Sequence, residues 1–251
     1  MNIPKIKFIP MTLSENIEVI KWAYFENNKN LDVHHYTIDY FPELKEFDSS
    51  SSNEVIHKKI EEVVTKDYNT YIDKIKNEAK RYEKIWNKYN EKYFQTLANY
   101  LNINWPKKEI TAKVGLIPVF PRYLDTFSFS VSTNLTDDKI TEVIAHETLH
   151  FLWFEKWHEL HPETPRREYD SPYLVWEYSE MVTDPILNNS PFKEMFSFVE
   201  KGYDTFYQMK DKDRLVMDNL REIYSENTRI EEKINKGYEY IKNFINKSNI
   251  K

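Results

Sequence analysis

The longest regular pattern in the chain runs from Glu54 to Ile103, where no Gly or Pro interrupts. Apolar or aromatic residues recur there at Ile75, Ala79, Tyr82, Trp86, Tyr89 and Tyr93, in steps that alternate between four and three. That spacing is one face of a helix and predicts one or two long helices, with a break placed near Asn69-Thr70. Upstream, Ile17, Ile20 and Tyr24 share a face behind Ser14, a candidate cap, and predict a helix from Ser14 to Glu26. Residues 1–13, with Pro4 and Pro10, read as an extended lead-in. The run Asp48 to Asn53 is a polar linker suited to start the next helix. Leu31 to Leu44 holds His34 and His35, which we read as polar residues on a packed loop or short helix, because adjacent residues point different ways.

Downstream of Trp105-Pro106 the period changes from helical to twofold. Ile110, Ala112, Val114 and Leu116 alternate with other residues, and Phe127, Phe129 and Val131 alternate with Ser128, Ser130 and Ser132. These are strand patterns, read as at least two antiparallel strands of a small sheet, with Pro118 and Pro121 at an edge or bulge. Thr136 then caps a helix whose first turn carries Asp137 and Asp138. Ile140, Val143, Ile144, Phe151, Leu152 and Phe154 carry its pattern to about Trp157. A polar loop, His158 to Asp170, leads to Ser171-Pro172, which should open another helix reaching about Asn188, kinked or ended early by Pro185. Pro191 to Lys251 reads as two or three helices around Gly202 and Gly237, with a Lys/Asn-rich tail.

These elements predict an α+β fold that is predominantly helical. They divide into an N-terminal helical region (1–104), a core carrying the sheet (105–190) and a C-terminal helical region (191–251), integrated as one globular unit. Only three Gly in 251 residues supports long helices over a turn-rich all-β fold. A formal net charge of −6 leaves no basic footprint for nucleic acid. No stretch approaches the apolar length of a membrane span, and the first ten residues lack a signal-peptide run. The expected location is therefore the cytoplasm. The absence of Cys removes disulfides, thiolate metal sites and thiol nucleophiles. Abundant Lys, Asn and Ile suggest an AT-rich, bacterial genome.

The chemistry concentrates in Ala145-His146-Glu147-Thr148-Leu149-His150. The pattern is H-E-x-x-H inside the helix that Thr136 opens. Histidines four apart sit one turn apart on the same face, so both imidazoles can meet one metal ion. Glu147 can lean over the same site as a general base. A catalytic zinc needs a third protein ligand. The extended pattern with Gly and His three and six residues on is excluded, because Trp153 and Lys156 stand there. In the following helix Glu177, Glu180 and Asp184 fall at i, i+3 and i+7, on one face of an otherwise apolar segment. Three such acids repel one another unless a cation lies opposite. The bland alternative is a solvated acidic face.

H-E-x-x-H followed by E-x-x-x-D on the next helix resembles the zincin metallopeptidases of the glutamate-ligand, thermolysin-like kind. The likeness covers roughly residues 110–190, and the whole chain looks most like a bacterial metallopeptidase. The gap between the two motifs differs from that of thermolysin. The resemblance implies a zincin-like core with a small antiparallel-edged sheet and two long active-site helices, flanked by N- and C-terminal helices. It implies Zn2+ held by His146, His150 and Glu180, Glu147 as general base, and Asp184 accepting a hydrogen bond from a ligand histidine. Glu177 is the alternative third ligand.

The expected activity is hydrolysis of a peptide or unfolded polypeptide, with neither nucleic acid nor membrane as partner. Candidate donors to the oxyanion are Tyr178, Tyr173, Tyr169, His161 and Arg166. Phe127 to Ser132, just before the motif helix, is the strand that such a fold would offer to substrate backbone, or else an ordinary internal strand. Two other readings are a metal-binding protein of this fold without peptidase activity, and a helical interaction protein whose surface is residues 54–103 and whose motif is accidental. A non-peptide amide substrate would share the same metal chemistry.

Overall fold

The computed structural model describes residues 3–26, 33–47 and 51–248. In chain order the elements are β1 (Lys5–Pro10), α1 (Leu13–Phe25), α2 (Val33–Tyr40), α3 (Asn53–Trp86), α4 (Asn90–Leu101), β2 (Glu109–Gly115), β3 (Arg122–Tyr123) and β4 (Ser128–Ser132). They continue as α5 (Asp137–Leu160), α6 (Leu174–Met181), α7 (Thr183–Leu187), β5 (Lys210–Asp211), β6 (Arg214–Leu215), α8 (Val216–Ser225) and α9 (Ile230–Ser248). The fold is mostly helical with a small mixed sheet, as an α+β class requires. Two compact units make up the chain, Pro4–Asn90 with Lys107–Val143 and Glu91–Pro106 with Ile144–Lys251.

In the first unit the strands lie in the order β1-β2-β4-β3. The lead-in expected at 1–13 is strand β1, paired in parallel with β2 so that Ile6 sits beside Ile110 and Phe8 beside Ala112. β2 and β4 are also parallel, which corrects the antiparallel pairing expected from their alternation. Twofold alternation reports burial and carries no information on strand direction. The antiparallel partner of β4 is the short β3. β4 therefore lies between two strands, all five of its residues are buried, and the Ser130 N–H donates to the Pro121 carbonyl at 2.9 Å. Of the two readings of Phe127 to Ser132, this is the internal strand.

α1 is capped by Thr12, one residue pair earlier than expected, in a box where Thr12 and Glu15 each satisfy the other's backbone N–H. α3 runs unbroken through Asn69-Thr70, where the Thr70 hydroxyl bonds back to the Lys66 carbonyl at 2.9 Å. The interruption falls instead at residues 87–89, and the Trp86 indole N–H donates to the Asn90 side chain at 3.0 Å across it. Ser52 caps α3 as the linker pattern suggested, although residues 48–50 of that linker lie outside the described residues. His34 and His35 diverge as expected, and His35 pairs with Asp39 at 3.2 Å in solvent.

The second unit is built on the part of α5 from Ile144 onward. Leu149, Phe151, Leu152, Trp153, Phe154 and Trp157 are all buried, so this helix is covered on every side. Trp153 and Trp157 stack at 5.3 Å between ring centroids, and Tyr178 of α6 and Tyr238 of α9 pack against that pair. The helix expected to open at Ser171-Pro172 begins at Leu174 and is short. It stops at Met181, and α7 takes over to Leu187. Only one of the two expected long active-site helices is long. Gly202 lies outside any helix and Gly237 lies inside α9. Residues 249–251 of the Lys/Asn-rich tail lie outside the described residues. No described helix is long and apolar enough to cross a membrane.

Candidate metal centre

The centre forms within the second unit. One turn of α5 separates His146 from His150, and their rings lie 4.7 Å apart between centroids. Their Nε2 atoms face each other at 3.0 Å. The Glu180 carboxylate closes the group, 3.2 Å from His146 Nε2 and 3.4 Å from His150 Nε2. Glu180 sits in the last turn of α6, where the Thr183 hydroxyl holds its backbone carbonyl at 2.8 Å. His150 is fully buried and Glu180 is 4% exposed. His146, His150 and Glu180 are the described residues that could hold a metal ion, with one ligand atom from each lying within 4.8 Å of the others. Glu177, one turn earlier, is half-buried and outside that group, and burial pushes its carboxyl up.

The donor chemistry fits a cation. The outer nitrogen of His146, Nδ1, lies 2.7 Å from Glu200 Oε1. An ionised carboxylate only accepts, so the ring proton of a neutral His146 belongs on Nδ1 and a lone pair on Nε2. That lone pair then faces a carboxylate and a second ring nitrogen. Three electron-rich atoms converging out of water are stable only with a positive charge among them. Without a metal, protons must supply it. Burial alone would lower the pKa of His146, but the charge of Glu200 and the hydrogen bonds to Glu180 and Glu200 hold it well above the ordinary imidazole value.

Asp184, four residues after Glu180, is met by a guanidinium, a hydroxyl and an amide. Its carboxylate is buried, at 1% exposure. It receives the Arg221 guanidinium at 2.7 and 3.2 Å, the Tyr207 hydroxyl at 2.7 Å and the Asn188 amide at 3.0 Å. The carboxylate on His146 Nδ1 is Glu200, which no sequence pattern flagged. Glu200 lies between helices in an irregular segment, next to the exposed Val199, with no periodic signal around it.

Glu147 follows His146 on α5 and is 6% exposed. The five candidate oxyanion donors scatter. Tyr178 is spent on packing, because its buried hydroxyl donates to the Ile234 carbonyl at 3.0 Å and meets the Tyr224 hydroxyl at 2.9 Å. His161 Nε2 pairs with Asn235 at 2.8 Å. Tyr173 is exposed ahead of α6. Tyr169 is buried and stacks on Phe154 at 4.8 Å, while Phe154 stacks on His150 at 6.2 Å. Arg166 lies over the Tyr169 ring. Tyr169 is thus linked to the centre through one ring, and Tyr178 and His161 are tied to α9 instead. Comparison with protein-family models, with curated proteins and with solved structures gives no significant match.

Proposed function

We propose that this chain is a zinc-dependent peptidase with a zincin-like core, in which His146, His150 and Glu180 hold the metal and Glu147 is the general base. The observation that carries the proposal is the convergence of two imidazole nitrogens and one carboxylate at a buried point. Two His and one Glu are a donor set typical of catalytic zinc, which keeps a further position open. When bound, zinc would lower the pKa of a coordinated water from 15.7 to about 7 and polarise a substrate carbonyl. Glu147 accepts the proton of the attacking water and returns it to the leaving amine. The substrate class, a peptide or an unfolded polypeptide, follows from the resemblance carried by the two motifs.

The test combines metal analysis with a peptide-library assay on wild type, His146→Ala and Glu147→Gln. Wild type should bind one zinc and cleave peptides. Glu147→Gln should keep zinc and lose activity by about 10²–10⁴-fold, the usual share of a general base. His146→Ala should lose both. A wild type that binds no zinc sinks the proposal, and one that binds zinc but cleaves nothing favours a metal protein without peptidase activity.

A further inference from the structure

We propose that Glu200 is the positioning residue that fixes the tautomer and orientation of His146, and that Asp184 acts at one remove by seating the segment that carries Glu200. The inference rests on the metal reading above and names a residue outside both sequence motifs. Three observations carry it.

The first is the contact itself. Glu200 Oε1 lies 2.7 Å from His146 Nδ1, and Glu200 is only 1% exposed, so water does not compete for that nitrogen. A charge-assisted bond at this length keeps a proton on Nδ1 and aims Nε2, the atom a metal would use, at Glu180 and His150. The second is that Glu200 sits in no helix or strand, so something else must hold it. The Asn188 side chain does so twice. Its carbonyl accepts the Glu200 N–H at 2.8 Å, and its amide donates to the Glu200 carbonyl at 2.8 Å. The third is that Asn188 and the next stretch of the same segment both return to Asp184. The Asn188 amide reaches Asp184 at 3.0 Å. Tyr207 accepts the Gly202 N–H at 3.0 Å and donates to Asp184 at 2.7 Å. Arg221 balances the buried charge of Asp184 at 2.7 Å. A glutamate two links away thus stands where the E-x-x-x-D pattern would put Asp184 directly.

The test measures zinc affinity by competition with a chromophoric chelator, and the exchange of the His146 Nδ1 proton by NMR in zinc-free and zinc-loaded protein. The variants are Glu200→Gln, Glu200→Ala and Asp184→Asn. Glu200→Gln keeps the volume and an acceptor oxygen, which guards against loss of folding. It should weaken zinc about 10-fold and Glu200→Ala about 100-fold, with Asp184→Asn in between. The Nδ1 proton should exchange slowly in wild type with or without zinc, faster in Glu200→Gln and Asp184→Asn, and freely in Glu200→Ala. The rise in melting temperature on adding zinc should be smaller in Glu200→Gln than in wild type, which a merely structural role would not predict. Unchanged zinc affinity in both Glu200 variants, or a freely exchanging Nδ1 proton in wild type, overturns the inference. If wild type binds no zinc, the metal reading falls. The role of Glu200 then stands or falls on the Nδ1 proton alone.

Discussion

Burying an ammonium group costs several kcal/mol unless carboxylates meet it, and Lys156 meets two. Its side chain is 1% exposed and lies 2.8 Å from Glu231 and 2.7 Å from Glu159. The hydrogen bond from Lys156, helped by that from Asn102, lowers the Glu231 carboxyl from 4.5 to about 2. Folded protein therefore binds fewer protons at this site than unfolded chain. The stabilisation is present above the ordinary carboxyl value and is lost as the pH falls toward about 2. Urea midpoints of wild type and Lys156→Met should differ most near neutrality and converge as the pH drops through that window. A gap independent of pH would show that Lys156 acts by packing alone. In the sequence, Lys156 was legible only as the residue that excluded a histidine ligand. Its partner Glu231 is 75 positions away by residue number, and pairing at that separation is a property of the folded chain. The same holds for His146 and Glu200.

At the scale of elements, α6 is placed by α9, and Gly237 is the point of contact. A methyl group built on Gly237 would stand 2.3 Å from the Tyr178 hydroxyl. Helix propensity favours Ala over Gly in a helix interior by about 0.5–1 kcal/mol, whereas forcing extra volume into a packed site costs about 1–3 kcal/mol. Gly237→Ala should therefore destabilise the protein. Placed in a Tyr178→Phe background, where the nearest atom is gone, it should cost clearly less. Equal cost in both backgrounds, measured by urea unfolding, would refute the contact as the cause. Sequence alone made Gly237 a break between helices, because a lone Gly lowers helical propensity. Its role as a close approach exists only once Tyr178 lies against it. In the same way, Leu174 to Leu187 kept its apolar and acidic faces in sequence but is split by Val182 into α6 and α7.

For the whole molecule, the proposed function makes a prediction about stability, because zinc held by His146, His150 and Glu180 would be a folding ligand. A ligand at 100 times its Kd stabilises by about 2.7 kcal/mol, which in a protein of this size raises the melting temperature by about 5–10 °C. Chelation should reverse that shift, and His146→Ala should show none. Differential scanning fluorimetry with and without zinc and chelator reads both. A wild type indifferent to zinc would contradict the proposed centre.

The sequence by itself determined the elements that local physics controls. The 3.6-residue stripe of α3, the Thr136 cap of α5 (its hydroxyl accepts the Lys139 N–H at 3.2 Å) and the one-turn spacing of His146 and His150 all depend on residues within a few positions of one another. It also put Glu180 on a face that could meet those histidines, since helical spacing alone brings the acids together. The tertiary structure decided what depends on distant partners. Strand direction in β2 and β4 was one such feature, because alternation is blind to it. The choice of Glu180 over Glu177 for the buried group was another, since the two acids share a helix face and differ only in what packs opposite. The carboxylate behind His146 was the third, supplied by an irregular segment that Asp184 and Asn188 hold in place and that no local pattern marks.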